Sequence, residues 1–394
     1  MGRVVAGVTP TSSCIEPEMG GPSPIGPPRL HRSSTKAPWE RGLEFGATCG
    51  DLVRHTISAY QELFAADGLP TEVPEKAGRD VEEWLRANHP DLAIEIRGIA
   101  QGAGVRVADL MAVNARTELR SSASPECSVL AIGCHLASGS MVAQNWDYHP
   151  SLAASRVVWH VQHDHGWFVT FTEAGIVGKI GLNHAGLSVC LNGLRTDRDG
   201  LGLASPIHVL LRRLLQDTTS LAEAESLIRS TSTTASAALT IVHARGSKVD
   251  AAIFEISPFG VRSILPMDGC LAHTNQLLLP PTQGVDVVPR QWPDSHGRYD
   301  AVLVALAAMS GASSLEGLRA ILSGHQDGPR SICTHAGGEL EFSSRCETLT
   351  SIAMIPRARR FFVTNGPPCK FDYYEVPGLE SEADGDSTTQ AVDS

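Results

Sequence analysis

Aromatic residues make up only 5% of this 394-residue chain and charged residues 19%. So few aromatics argue against base-stacking platforms for single-stranded nucleic acid. The 32 basic and 43 acidic residues give a formal charge of −11, so the basic face of a nucleic-acid-binding protein is missing too. No stretch approaches 18 consecutive apolar residues, which argues against a membrane-spanning helix. The N-terminus has no long apolar segment, so a secretory signal is not expected. The nine cysteines form no CxxC pair and no regular spacing; an odd, scattered set in so long a chain reads as reduced thiols. The expected compartment is the cytoplasm.

Familiar catalytic signatures are missing as well. The sequence has no GxSxG elbow, no P-loop, no HExxH and no GxGxxG. Gly200-Leu-Gly-Leu-Ala-Ser resembles a glycine loop but lacks the third glycine. His160, His163 and His165 form an HxxHxH cluster, yet on a strand His160 points away from the other two. They read as surface strand histidines, and no metal site or resident cofactor is expected.

What is present is a layered pattern between two polar ends. Residues 1–38 hold seven of the 24 prolines, interleaved with Gly and Ser, and read as a disordered leader. Residues 379–394 carry five acids and no Lys or Arg, and read as an acidic disordered tail. Between them, 39–378 reads as a single catalytic domain. Its first part, 39–126, is helical: apolar residues recur at helical spacing in Asp80-Val-Glu-Glu-Trp-Leu-Arg-Ala and Asp91-Leu-Ala-Ile-Glu-Ile, with Pro90 as a break. From Cys127 the texture changes to strands, near 127–133, 141–147, 157–163, 167–172 and 187–192, then 237–244, 251–256 and 349–365. Helices are expected around 206–229 and 299–322. Helices flanking mostly antiparallel strands make the fold class α+β.

Cys127 stands out by position, at the start of the first strand after the helical segment and behind a loop-like Ser121-Ser-Ala-Ser-Pro-Glu. An N-terminal nucleophile uses such a place. Once the preceding peptide bond is cut, the free α-amine, with a pKa of about 7.7–8.0, serves as base for its own side chain. A small core cysteine is the competing reading.

Several segments match a known family in order, from about Arg41 to Pro368. They are Arg41-Gly-Leu-Glu-Phe-Gly, Gly98-Ile-Ala-Gln-Gly-Ala-Gly, Asn114-Ala-Arg-Thr-Glu, Glu126-Cys-Ser and Gln144-Asn-Trp-Asp-Tyr. Thr172-Glu-Ala-Gly-Ile-Val-Gly-Lys-Ile-Gly-Leu-Asn, His273-Thr-Asn-Gln and Arg330-Ser-Ile-Cys follow. The ordered set resembles the acyl-coenzyme A:6-aminopenicillanic acid acyltransferase (isopenicillin N acyltransferase) family, peptidase family C45, of the Ntn-hydrolase superfamily. The resemblance implies a four-layer αββα sandwich, made as a precursor that cleaves itself between Glu126 and Cys127. The two fragments, 126 and 268 residues long, would form a heterodimer.

The resemblance also implies site roles. Cys127 is the nucleophile, Asp147 orients the amine or the substrate, and Asn275 donates its amide to the tetrahedral oxyanion. A turn aspartate and a loop-capping asparagine are the competing readings. Tyr148 and His149 match positions lining the acyl pocket. The family commonly has a catalytic arginine directly after the Ser-Ile-Cys segment; here that position is Thr334, leaving Arg330 or Arg345 to supply a guanidinium. The expected function is cleavage or transfer of an acyl group from a small-molecule amide or thioester through acyl-Cys127. Acyl-coenzyme A is a conceivable co-substrate, although an acidic body tips the balance towards amide hydrolysis. Alternatives are a penicillin V acylase or bile-salt hydrolase type of enzyme, or a non-catalytic ligand-binding descendant.

Overall fold

The computed structural model describes residues 26–120, 126–136, 139–200, 204–309, 314–326, 328, 330–335 and 340–379. A short strand β1 (Arg29–Arg32) precedes the helices α1 (Pro38–Ala66), α2 (Glu72–Asn88), α3 (Pro90–Ala103), α4 (Val107–Asn114) and α5 (Arg116–Leu119). The hairpin β2 (Glu126–Ile132) and β3 (Met141–Tyr148) follows, then β4 (Arg156–His163), β5 (Gly166–Glu173), β6 (Ile180–Asn183) and β7 (Leu187–Gly193). Helices α6 (Ile207–Asp217) and α7 (Leu221–Ser230) lead into β8 (Ala237–Arg245), β9 (Lys248–Ser257), β10 (Gly260–Ile264) and β11 (Leu271–His273). The chain closes with α8 (Val288–Gln291), α9 (Asp294–Ala308), α10 (Leu315–Leu322), β12 (Glu347–Ile355), β13 (Arg360–Val363) and β14 (Tyr374–Glu375).

Two sheets are stacked. One has eight strands in the order β1-β4-β5-β6-β7-β8-β9-β10, the other six in the order β11-β2-β3-β12-β13-β14. They face each other where β2 and β3 approach β7, and β11 approaches β8. Helix α6 crosses β5, β6 and β7, and α7 crosses β8, β9 and β10, on the outer face of the larger sheet. Helices α9 and α10 cover β2, β11 and β3 on the outer face of the smaller one. The result is the αββα sandwich.

The expected leader ends earlier than residue 38. Strand β1 pairs in parallel with β4, Leu30 opposite Val158, and the Arg156 guanidinium reaches the Gly26 carbonyl at 2.8 Å. An exposed edge of β4 has unpaired amides to satisfy, and that outweighs the proline-rich composition upstream. Residues 1–25 and the acidic tail from Glu380 lie outside the described residues. The helical segment expected around 206–229 is divided into α6 and α7, with Ser220 capping α7 by accepting the Glu223 N–H at 3.3 Å.

The glycine-spaced segments near Arg41 and Gly98 form one seam. Gly42 and Gly46 on α1 face Gly98 and Gly102 on α3 so closely that a Cβ on any of them would strike the opposite backbone. At one end of the seam Arg41 and Arg212 both bond the buried Glu95, tying α1, α3 and α6 together. Burial alone would raise the Glu95 carboxyl; Arg212 and Arg41 override it and hold it below its usual range.

Candidate active site

In the β2–β3 ladder Cys127 lies opposite Trp146 and Glu126 opposite Asp147. Side chains alternate along a strand. Cys127 therefore shares with Val129 and Trp146 the face turned to the larger sheet, whereas Ser128, Leu130 and Asp147 turn towards α9 and α10. The thiol is buried, and Sγ lies 3.9 Å from the Asp147 backbone oxygen.

Side chains hold both backbone groups of Cys127. The β11–β2 pairing stops at His273 opposite Val129, so no ladder bond is left for the Cys127 amide. Asn275, two residues on, supplies one: its Oδ1 accepts the Cys127 N–H at 3.0 Å. The Cys127 carbonyl accepts from Asn192 Nδ2 at 2.9 Å and from Arg298 Nη1 at 3.1 Å. Arg298 Nη2 also donates to Asn275 Oδ1 at 2.9 Å. Two donors aimed at one atom identify it as the amide oxygen. The Asn275 NH2 in turn donates to the Gly193 carbonyl at 3.0 Å, while its Oδ1 accepts for Cys127.

Asp147 is fully buried on the other face. Its Oδ1 accepts from Thr348 Oγ1 at 2.5 Å, and that hydroxyl accepts the Thr334 N–H at 2.9 Å. Thr334, where the family arginine is expected, is thus a backbone support for Asp147. Arg330 reaches Asp294 at 3.5 Å and Arg345 lies on the surface, bonded to the Leu340 carbonyl at 3.4 Å. The guanidinium that does meet Cys127 comes from α9. Sequence reasoning missed Arg298 because Asp294 and Arg298, four apart on a helix, look like a solvated pair.

The inner face beside the thiol is charged. Lys179 Nζ sits 3.6 Å from the centre of the Trp146 ring and 3.0 Å from Glu173 Oε2. Glu173 Oε1 accepts from Tyr60 at 2.8 Å and pairs with Arg116 at 3.4 Å. Arg116 and Arg120 each donate to the Tyr148 hydroxyl at 3.1 Å, and Tyr148 stacks on Trp146. Burial, together with the Arg116 charge, pulls Lys179 down to about 7. Burial would push Glu173 up, but Lys179 and Arg116 hold it at about 2. Burial and the Asp147 charge push the Cys127 thiol up to about 11, against opposing pulls from Lys179 and Arg298. The thiol is therefore neutral near pH 7 and needs a base.

Of the expected substrate-lining residues, the structure brings Tyr148 to this network. His149 is tied elsewhere, through Nε2 to the Phe342 carbonyl at 2.8 Å and through Nδ1 to Ser151, and burial lowers its pKa. His160 and His163 are not surface histidines: both are buried in β4, and burial pulls each down to about 4. An edge-on contact with Trp167 covers one, and packing near Phe168 and His184 covers the other. His165 is exposed.

Comparison with known families matches residues 135–368 to the family described as "Acyl-coenzyme A:6-aminopenicillanic acid acyl-transferase". The chain belongs to this family. Membership places it among acyl-transfer enzymes. It is 28% identical over 352 residues to the acyl-coenzyme A:6-aminopenicillanic-acid-acyltransferase 40 kDa form of Emericella nidulans, covering 86% of this chain and 93% of that one. Among solved structures it is similar to a Caenorhabditis elegans N-acylethanolamine-hydrolyzing acid amidase ortholog, with TM-score 0.43, 14% identity, and 58% of this chain and 92% of that chain covered. A conjugated bile acid hydrolase of Clostridium perfringens gives TM-score 0.42 at 10% identity, covering 65% and 94%. Among the described residues no helix is long and apolar enough to cross a membrane.

Proposed function

We propose that the chain is a self-processing acyl-transfer enzyme whose nucleophile is Cys127. The observation that carries this reading is the clamp on Cys127 at the head of β2, with Asn275 on its N–H and Asn192 and Arg298 on its carbonyl. In processing, Sγ attacks the Glu126 carbonyl carbon, the C–N bond breaks, and the former amide nitrogen leaves as the α-amine. Water hydrolyses the thioester, freeing the thiol and the Glu126 carboxylate. The amine formed stays where Asn275 Oδ1 accepts its proton, beside a thiol too weakly acidic to ionise alone. With a pKa of about 7.7–8.0 it is suited to deprotonate that thiol. Acyl transfer then runs through a thioester on Cys127, released to water or to an amine.

The substrate is a small acyl amide or acyl thioester. Arg116, Arg120 and Lys179 gather around Tyr148 with Glu173 and Asp67 as their counter-charges. With Lys179 about half protonated near pH 7, the cluster keeps a partial excess of positive charge, which favours a substrate carrying a negative group, despite the acidic body. An acyl-coenzyme A donor or an amide bearing a carboxylate both meet that condition, and the reacting centre uses no cofactor. The fragments stay together as a heterodimer, because Tyr60 and Arg116 precede the cut and Glu173 and Lys179 follow it within one buried network. A cytoplasmic location fits the eight described cysteines, all free thiols.

Intact mass spectrometry after incubation with N-acyl amines and acyl-coenzyme A tests processing and acylation together. The expected result is two fragments of 126 and 268 residues, with the acyl adduct on the larger. Cys127→Ala should stay full-length and unmodified. A wild-type chain that remains whole, with Glu126 still joined to Cys127, would overturn the processing step.

A further inference from the structure

Away from Cys127, four side chains from two stretches of chain meet at one point. His325, Cys333 and His335 lie between α10 and β12, and Cys369 lies between β13 and β14. Their donor atoms all lie within 4.8 Å of one another. Cys333 Sγ is 3.6 Å from Cys369 Sγ. His335 Nε2 is 3.7 Å from Cys333 Sγ, 3.5 Å from Cys369 Sγ and 2.9 Å from His325 Nε2.

We propose that these four side chains hold a zinc ion. Zinc bonds thiolate sulfur at about 2.3 Å and imidazole nitrogen at about 2.0–2.1 Å, tetrahedrally. Such a tetrahedron has edges of about 3.8 Å between sulfurs, about 3.6 Å between sulfur and nitrogen and about 3.3 Å between nitrogens. The sulfur–sulfur distance and the two sulfur–nitrogen distances from His335 match to about 0.2 Å, the nitrogens need to part by about 0.4 Å, and the His325 donor lies within 4.8 Å of both sulfurs.

Two thiolates with two imidazoles form a borderline-soft set, which suits zinc and is wrong for the oxygen-seeking magnesium or calcium. Protein atoms fill all four positions, so the site is structural and leaves no place for a metal-bound water. No metal is expected from the sequence pattern, and this cluster departs from that expectation. The ligands do not follow a zinc-finger spacing: positions 325, 333 and 335 share one loop, but the fourth comes from 369.

The ion has a definite place to act. Thr334 lies between two of the ligands, and its N–H supports the Thr348 hydroxyl that bonds Asp147. In the same loop the Ile332 carbonyl accepts from Asn145 at 2.8 Å, and Cys333 N–H closes the loop onto the Gly324 carbonyl at 3.0 Å. Zinc fastens this loop to the turn that carries Cys369, and so steadies the floor under Asp147.

The test uses the full-length chain, free of any tag, purified under reducing conditions. Elemental analysis should find one zinc per chain, falling at least tenfold in Cys369→Ser and in His335→Ala. Because either variant could misfold, the wild type is also stripped with a chelator and titrated with zinc alone against a chromogenic chelator. One equivalent should bind and raise Tm. Cobalt in its place should show thiolate charge transfer and tetrahedral ligand-field bands. The proposal fails if stripped, reduced protein takes up no zinc at equimolar concentration, if the cobalt spectrum is octahedral, or if freshly purified protein is two hydrogens lighter through a Cys333–Cys369 disulfide. None of these readouts depends on Cys127 chemistry.

Discussion

Asn275 Oδ1 accepts the Cys127 N–H at 3.0 Å where the β11–β2 ladder has run out of partners. A side chain thus stands in for a backbone strand at the residue whose amide must break. Because Arg298 donates to the same oxygen, removing it leaves two buried donors short of an acceptor. An unsatisfied buried donor costs about 1–3 kcal/mol. Asn275→Ala should lower stability by about that much and, by letting the bond to be cut shift, slow appearance of the two fragments by about 10²-fold. Urea titration and a time course on denaturing gels check both. Processing at the wild-type rate would refute a role for Asn275 at the cleaved bond.

Arg298 works as a fork. One Nη holds the Cys127 carbonyl and Ser128 Oγ, the other holds Asn275, and Nε faces Asp294 at 3.5 Å. A lysine keeps the charge but is a single point and does not span these acceptors. Arg298→Lys should therefore fold, by circular dichroism, yet, with Cys127 less firmly positioned, process and turn over about 10²-fold more slowly. If Arg298→Lys matches wild type, charge alone suffices and the fork is irrelevant.

Lys179 supplies a pH signature. Its pKa is about 7 in the fold against 10.5 for an ordinary lysine, so between these values the unfolded chain binds a proton that the fold has released. Stability from this group therefore rises with pH across about 7 to 10.5. Glu173, held at about 2 against 4.5, contributes stability that is complete above about 4.5 and is lost as pH falls towards 2. Lys179→Met should flatten the alkaline rise. It also removes one of the cations that hold Glu173 down, which should move the acid unfolding midpoint to higher pH. Urea midpoints from about pH 3 to 10 measure both effects; parallel curves for wild type and variant would remove Lys179 from this role.

How much was legible beforehand depended on whether a residue's role was local. The β2–β3 hairpin, the break at Pro90 and a strand start beside Cys127 follow from alternation, proline and turn residues; the structure has the first two and starts β2 one residue earlier, at Glu126. Asn275 was found by its motif, but the direction of its amide was not, because that is set by Gly193 and Arg298 from elements far along the chain. Lys179 and Glu173 were not singled out, although two charges bracketing the apolar Ala-Gly-Ile-Val-Gly are a signal of buried pairing that could have found them. Arg298 gave no comparable signal. His160 and His163 misled because strand alternation tells which face a residue is on, not whether another layer covers that face.

The glycine seam gives a local prediction with its own control. An alanine at Gly98 would put Cβ 2.6 Å from the Trp39 carbonyl and 3.0 Å from the Leu43 nitrogen, both backbone atoms of α1. No rotamer relieves such a contact, so α1 and α3 must move apart and loosen the core between them. Gly50 is on the same helix, but a Cβ there meets only the flexible end of Arg54 at 3.2 Å and Ala103 Cα at 3.3 Å. In each case alanine gains about 1 kcal/mol of helix propensity, whereas overpacking a close contact costs about 1–3 kcal/mol. Gly98→Ala should lower Tm clearly while Gly50→Ala leaves it unchanged or slightly raised, both read by thermal unfolding. Equal Tm values for the two variants would mean that helix propensity, not close approach, explains the glycines at this interface.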